Sequence, residues 1–342
     1  MDSVAQLRSS LPAGLSARPP VLADAEAATE IANRQSRHLV GVDDASVDRT
    51  LTWWQEPTRD LSRDSLLVTD GDGAVLAWID YSEYEPFDQN EYDLVIDPSW
   101  GDRGIEEALL RWVDNRAQES IENAPTGSAI TLETSVWAEN TVHLERLLRR
   151  GYVTTRYWDR MEITFEAPPK RPDPPAGVSF RTARADEIDA IHAAWEDAQQ
   201  DEFGFVGLSD EQFRYYFVSA EPGFDPSLWF LAIDDTSDEI IGYALGRMER
   251  PGDPDCSQIR YVAVRRAWRR KGIASALLGW SFADFYQRGR RRVSLAVDSE
   301  SPTGAHRLYE RVGMRPTLRS VTMVLTLRPG DASGQPEAAR SG

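Results

Sequence analysis

The chain repeats itself, and no other feature constrains its fold so strongly. The run Ser99-Trp100-Gly101-Asp102-Arg103-Gly104-Ile105, continuing to Leu110, matches Ala267-Trp268-Arg269-Arg270-Lys271-Gly272-Ile273, continuing to Leu278. Further on, His143-Leu144-Glu145-Arg146-Leu147 matches Ala305-His306-Arg307-Leu308-Tyr309, and Gly151-Tyr152 matches Gly313-Met314. Upstream, each copy has two apolar runs around an Asp/Gly/Ser turn, residues 65–81 and 228–246, the pattern of a hairpin. Each copy therefore reads helix, helix, hairpin, strand, helix, strand, helix, strand. That order predicts an α/β fold, an α+β arrangement on a mixed sheet, present twice. A length of 342 residues agrees with two domains at roughly 100–200 residues each.

The boundary falls at Ala167–Gly177, where five prolines occupy eleven residues and exclude both a helix and a central strand. The expected division is 1–166 for the first domain, 167–176 for a stiff linker and 177–328 for the second domain. Residues 329–342 are poor in apolar side chains and are expected to be a disordered tail.

Acids outnumber bases by 56 to 38, a net charge of −18, so the surface as a whole repels nucleic acid and anionic membrane. One cysteine, Cys256, excludes internal disulfides and cysteine-based zinc sites, and the four scattered histidines do not suggest a metal centre. No 18-residue apolar run and no apolar leader appear, so the expectation is a cytoplasmic, soluble protein, monomer or homodimer, without metal.

Against this acidic background Arg260–Arg292 holds ten basic residues and one acid, Asp284, a local charge of +9. Within it a β-rich run, Ile259–Val264, leads through an arginine-rich turn to a helix opening at Gly272. A glycine at a helix N-terminus presents unpaired N–H groups and the positive end of the dipole, which suits phosphate.

Arg269-x-x-Gly272-x-Ala274 after this strand resembles the R/Q-x-x-G-x-G/A motif of the GNAT superfamily of N-acetyltransferases. A second stretch, Ser301 through Ala305, Tyr309 and Gly313-Met314, is similar to that family's N-x-x-G-A-x-x-L-Y-x-x-x-G-F element, with Ser301 where asparagine is usual. The resemblance covers Gly177–Leu327 well and Leu15–Phe165 weakly. It implies two tandem GNAT domains and acetyl-CoA as acyl donor. It also implies that Val262, Ala263 and Val264 hold the pantetheine arm, while Arg269, Arg270, Lys271, Gly272, Ile273, Ala274 and Ser275 cradle the pyrophosphate. Ser301 and Arg307 would flank the cofactor, and Tyr309 would protonate the departing thiolate; read without the family, Tyr309 is a packed aromatic beside Leu308 and Val312.

Where many members carry a catalytic glutamate, this chain has Gln258, which takes no proton. Glu249, Asp253 or Asp255 could substitute through water, and nothing in the sequence selects among them; Glu249 is taken as the candidate. For the acceptor, the mixture of acids and aromatics in Ile191–Phe217 suits a cationic amine, with Glu196, Asp197, Asp201, Glu202 and Phe203 as candidates; a solvated face over an aromatic core reads equally well.

The first copy departs from the motif: Gly101, Asp102 and Glu106 stand where Arg269, Arg270 and Ala274 stand, and Leu147 replaces Tyr309. It is expected to be a degenerate domain. The expected activity is acetyl transfer to the primary amine of a small molecule, by direct attack in the second domain. Tandem GNAT architecture also resembles mycothiol synthase, so acetylation of a cysteinyl amine stays open. So do acetylation of protein lysines or N-termini, an aminoacyl-tRNA-dependent transferase, and a non-catalytic acyl-CoA-binding module.

Overall fold

The computed structural model describes residues 10–84, 86–101, 103–200, 205, 207–301 and 304–330. They form two compact units, drawn from Met1–Arg156 with Ser320–Gly342 and from Tyr157–Arg319. Asp102, Asp201, Glu202, Phe203 and residues 331–342 of the expected tail lie outside the described residues.

The first unit runs β1 (Ser16–Arg18), α1 (Ala25–Val40), α2 (Val47–Trp54), α3 (Leu61–Asp64), β2 (Ser65–Thr69), β3 (Val75–Tyr84), β4 (Gln89–Ile96), α4 (Ile105–Asn123), β5 (Ile130–Trp137) and α5 (Thr141–Arg149), then enters β6 (Val153–Thr164). The β2–β3 turn forms because Asp70 Oδ1 accepts from the N–H groups of Asp72 and Ala74, with Gly73 at φ +85°. Strands β1 to β4 pair antiparallel in chain order, and β5 joins β4 in parallel. Helix α4 buries Ile105, Leu109, Trp112 and Val113 in one core cluster, while α1 and α2 bury Ile31 and Trp54 in another.

The second unit repeats this plan. It contains β7 (Val178–Thr182), α6 (Ile188–Gln199), α7 (Asp210–Arg214) with a π turn at Tyr215–Ser219, β8 (Trp229–Asp234), β9 (Ile240–Arg247), β10 (Cys256–Val264), α8 (Ile273–Gln287), β11 (Arg292–Asp298) and α9 (Ala305–Arg311), before β12 (Arg315–Arg328). Strands β7 to β10 are antiparallel neighbours and β11 is parallel to β10. Ile273, Leu277, Phe282 and Phe285 of α8 pack with Val293 and Leu295. Trp195, Phe213, Phe217 and Trp229 form a separate aromatic cluster with α6 and α7.

The units are not consecutive halves of the chain. In the first unit β5 pairs with the C-terminal strand, from Ser320↔Trp137 to Arg328↔Ile130. In the second, β11 pairs with residues that precede the proline-rich stretch, from Arg292↔Thr164 to Asp298↔Trp158. A division at 167–176 gives each terminal strand to the half it follows in sequence, whereas the sheets take them the other way round. Period-2 patterning reports which face a strand buries, not which sheet edge it joins, so the sequence held no sign of this.

Candidate cofactor groove and acceptor side

The second unit's site begins where two strands part. The parallel ladder between β10 and β11 runs from Cys256↔Arg292 to Gln258↔Ser294, while β10 keeps pairing with β9 to Val264↔Gly242. A bulge at Arg260 interrupts that register, and a bulge bends its strand and re-aims the residues beyond it. The Arg265 N–H donates to Ile241 O of β9 at 2.9 Å. Since successive peptide groups alternate along a strand, the N–H groups of Val262 and Val264 turn the other way, toward the edge that β11 has left. Residues 260–263 are half-buried.

At the end of β10 a 3-10 turn, Arg266–Trp268, leads to Arg270 at φ +62° and Gly272 at φ +80°, which caps α8. Gly272 brings no side-chain acceptor to the first turn, and a Cβ placed there would meet nothing within 4 Å among the described residues. The first-turn amides of Ile273, Ala274 and Ser275 and the positive end of the helix dipole thus lie at a helix start that no side chain caps. Arg270 and Lys271 are exposed, with Lys271 Nζ 4.2 Å from the Trp268 ring centre. Arg269 turns inward: Nε donates to Val264 O and Nη2 to Ala198 O, both at 3.0 Å.

On the other side of the groove, Ser301 closes the turn after β11: its N–H donates to Asp298 O and its carbonyl accepts from Gly304. Tyr309 is buried on α9 among the residues packed under α8, and Arg307 is exposed.

The carboxylates expected to serve the amine are dispersed. Glu249 follows β9, reaches Arg290 at 3.3 Å and is 60% exposed. Asp253 sits between Arg250 and Arg292; burial opposes its ionisation, but the two guanidiniums win and hold it below the usual carboxylate range. Both belong to the β9–β10 connection, at the opposite end of β10 from Gly272. Glu196 accepts from the Leu208 N–H at 2.8 Å and Asp197 lies 3.3 Å from Arg265.

Sequence reasoning missed a charged group at the bulge. Glu221, after the π turn, takes Arg260 Nη1 on Oε2 at 2.6 Å and Arg247 Nη1 on Oε1 at 3.2 Å. Arg247 also donates from Nε to Gln258 Oε1 at 2.9 Å. Gln258 is thereby a neutral acceptor for an arginine. The available signal was Arg260, the one charged residue of β10.

The corresponding recess of the first unit is a cavity of about 200 Å³ whose lining, Gly101, Gly104, Glu106, Glu107 and Arg146, carries two carboxylates. Gly104 has φ +83°, but the Glu106 carboxylate in the next turn receives Arg146 and lies 2.7 Å from His143 Nδ1. Asn140 caps α5 through the His143 N–H.

Among the described residues no group of His, Cys, Asp and Glu is placed to hold a metal, and no helix is long and apolar enough to cross a membrane. Residues 189–314 match the acetyltransferase (GNAT) family. A mycothiol acetyltransferase of Geodermatophilus obscurus is 30% identical over 258 residues, covering 72% of this chain and 78% of that one. The crystal structure of a GCN5-related N-acetyltransferase from Sphaerobacter thermophilus superposes with a TM-score of 0.79 at 33% identity, covering 94% of this chain and 98% of that one. A tandem GNAT protein of the clavulanic acid pathway shares the fold, with a TM-score of 0.69 at 16% identity over 93% of this chain and all of that one.

Proposed function

Since the chain belongs to the GNAT acetyltransferase family, we propose that its second unit carries the transfer, from acetyl-CoA to the primary amine of a small molecule. The observation that carries this reading is one continuous surface: the open edge of β10 runs into the uncapped N-terminus of α8. Bound acetyl-CoA supplies the activated acyl group. The amides of Gly272, Ile273, Ala274 and Ser275 hold its pyrophosphate, with Arg270 and Lys271 adding charge at the rim. Arg269 supports the loop from behind. Val262, Ala263 and Val264 take the pantetheine arm as an added strand. The Val262 N–H donates to the thioester oxygen, where negative charge develops as the amine attacks. Ser301 and Arg307 flank the groove, and Tyr309 returns a proton to the leaving sulfur.

Neither Glu249 nor Asp253, both in the β9–β10 connection, takes the place of Gln258 on β10. Glu249 relays the amine proton only through water, so much of the ammonium must lose its proton to solvent before attack. Glu196 and Asp197 hold loop and strand on the acceptor side and give it a negative face for a cation. A cysteinyl amine is the second reading for the acceptor, supported by the Geodermatophilus relative.

Calorimetric titration with acetyl-CoA tests the proposal, beside a Gly272→Glu variant. One site per chain, lost in the variant, supports it and opens a screen of amines with thiol release as readout. Two sites would restore donor binding to the first unit. No binding would sink the reading.

A further inference from the structure

We propose that Glu221 is a positioning residue for acetyl transfer: its carboxylate clamps the β10 bulge and so fixes where the Val262 N–H points. This rests on the acetyl-transfer reading above. The bulge residue, Arg260, is drawn off the strand by Glu221 Oε2 at 2.6 Å and Tyr216 O at 3.3 Å, and its guanidinium lies 4.7 Å from the Phe217 ring centre. The other carboxylate oxygen takes Arg247, which in turn holds Gln258, the last residue of β10 paired with β11. One carboxylate therefore grips the strand on both sides of the point where it leaves its neighbour. Val262 lies two residues beyond.

Burial sharpens the case. The side chains of Glu221, Arg247 and Arg260 are 8%, 13% and 17% exposed. Desolvating three charges is costly, and such groups add little net stability over apolar replacements. A geometric role accounts for keeping them.

The first unit gives an internal comparison. There β4 pairs with β3 without a register shift from Ala77↔Ile96 to Tyr84↔Gln89. Ser82, opposite Glu91, stands where Arg247 stands opposite Gln258. The unit without the bulge also lacks this arginine. Glu221 directly follows the turn that borders the acceptor side, so the clamp joins that segment to the donor strand.

The test uses the full-length protein and Glu221→Gln, which keeps shape and one acceptor but removes the charge between two guanidiniums. Acetyl-CoA is bound to each, its affinity read by calorimetry and its thioester carbonyl stretch by infrared difference spectroscopy. The expected result is affinity within about threefold of wild type, because the phosphate cradle is untouched, with the carbonyl stretch moved back toward that of free acetyl-CoA. With an amine that the wild type accepts, kcat falls about 30-fold, roughly 2 kcal/mol of barrier, at unchanged KM for acetyl-CoA. An unmoved carbonyl stretch, or a loss of affinity in step with a loss of Tm, overturns the proposal. Should Glu221→Gln fail to fold, Arg260→Gln releases the bulge alone and must shift the same band; no shift overturns it equally. Failure of the wild type to bind acetyl-CoA overturns the parent reading and this proposal with it. Wild-type binding with an unmoved band in the variants overturns this proposal alone.

Discussion

Arg269 donates from Nε to the carbonyl oxygen of Val264 at 3.0 Å, so the arginine of the phosphate motif ties its own loop to the strand it leaves. Its other end reaches Ala198 O on α6, also at 3.0 Å. The loop is held from these two sides by one guanidinium.

Replacing Arg269 by Ala removes two charge-assisted bonds to carbonyls, worth about 1.5–3 kcal/mol each at most. Acetyl-CoA affinity should fall at least tenfold. Most of the loss should persist at high salt, since loop order is removed along with one positive charge that salt would screen. Titrations at two ionic strengths check this; a defect that vanishes at high salt would mean direct phosphate contact by the guanidinium.

Ala274 occupies the place that Glu106 holds in the first unit. Ala274→Glu puts a carboxylate in the first turn of α8, where it satisfies the dipole and competes with a ligand anion. Folding should be intact and acetyl-CoA affinity at least 30-fold weaker, with Ala274→Gln much nearer wild type. Equal binding by all three would show that the pyrophosphate does not sit at this helix end.

His143 should make stability depend on acidity. Burial pushes its imidazole down to about 4. An unfolded histidine takes its proton near pH 6.5, so below that pH the unfolded chain binds a proton the folded one refuses. Stability present above pH 6.5 is therefore lost as pH falls, by about 1.4 kcal/mol per unit until pH reaches about 4. Urea unfolding at pH 7, 6 and 5 should show the trend in wild type and a flatter curve in His143→Gln. Identical curves would assign the acid sensitivity elsewhere.

Tyr309→Phe deletes one oxygen from a buried side chain. Acetyl-CoA affinity should stay within about twofold while kcat drops by about 10²-fold, the range typical of removing a positioned proton donor. Unchanged turnover would make Tyr309 a packing residue and leave sulfur protonation to water.

The strand, turn and helix start of the proposed donor side were legible because they are local. Val262–Val264, the arginine-rich turn and Gly272 lie within eleven residues, and a glycine ahead of Ile273 marks the helix start on its own. The acceptor side was not, because it depends on contacts far apart in sequence. Glu221 meets Arg260 across 39 residues, and nothing near Glu221 in the chain announces a partner. The bulge was likewise invisible: an arginine in a strand reads as an exposed position until the fold shows what receives it. In the first unit the sequence showed Glu106 only as an acid in the place of Ala274, and its pairing with Arg146 and His143 required the fold.

The exchange of terminal strands bears on how the protein is made. Residues 130–137 emerge from the ribosome early, yet their partner strand begins at Ser320, nearly two hundred residues later. The first sheet therefore waits with an open edge until the entire second unit has been translated, and the usual economy of finishing one domain before starting the next is not available to it. Severing the proline-rich stretch would yield two fragments, each missing one strand of its own sheet and carrying one of the other's.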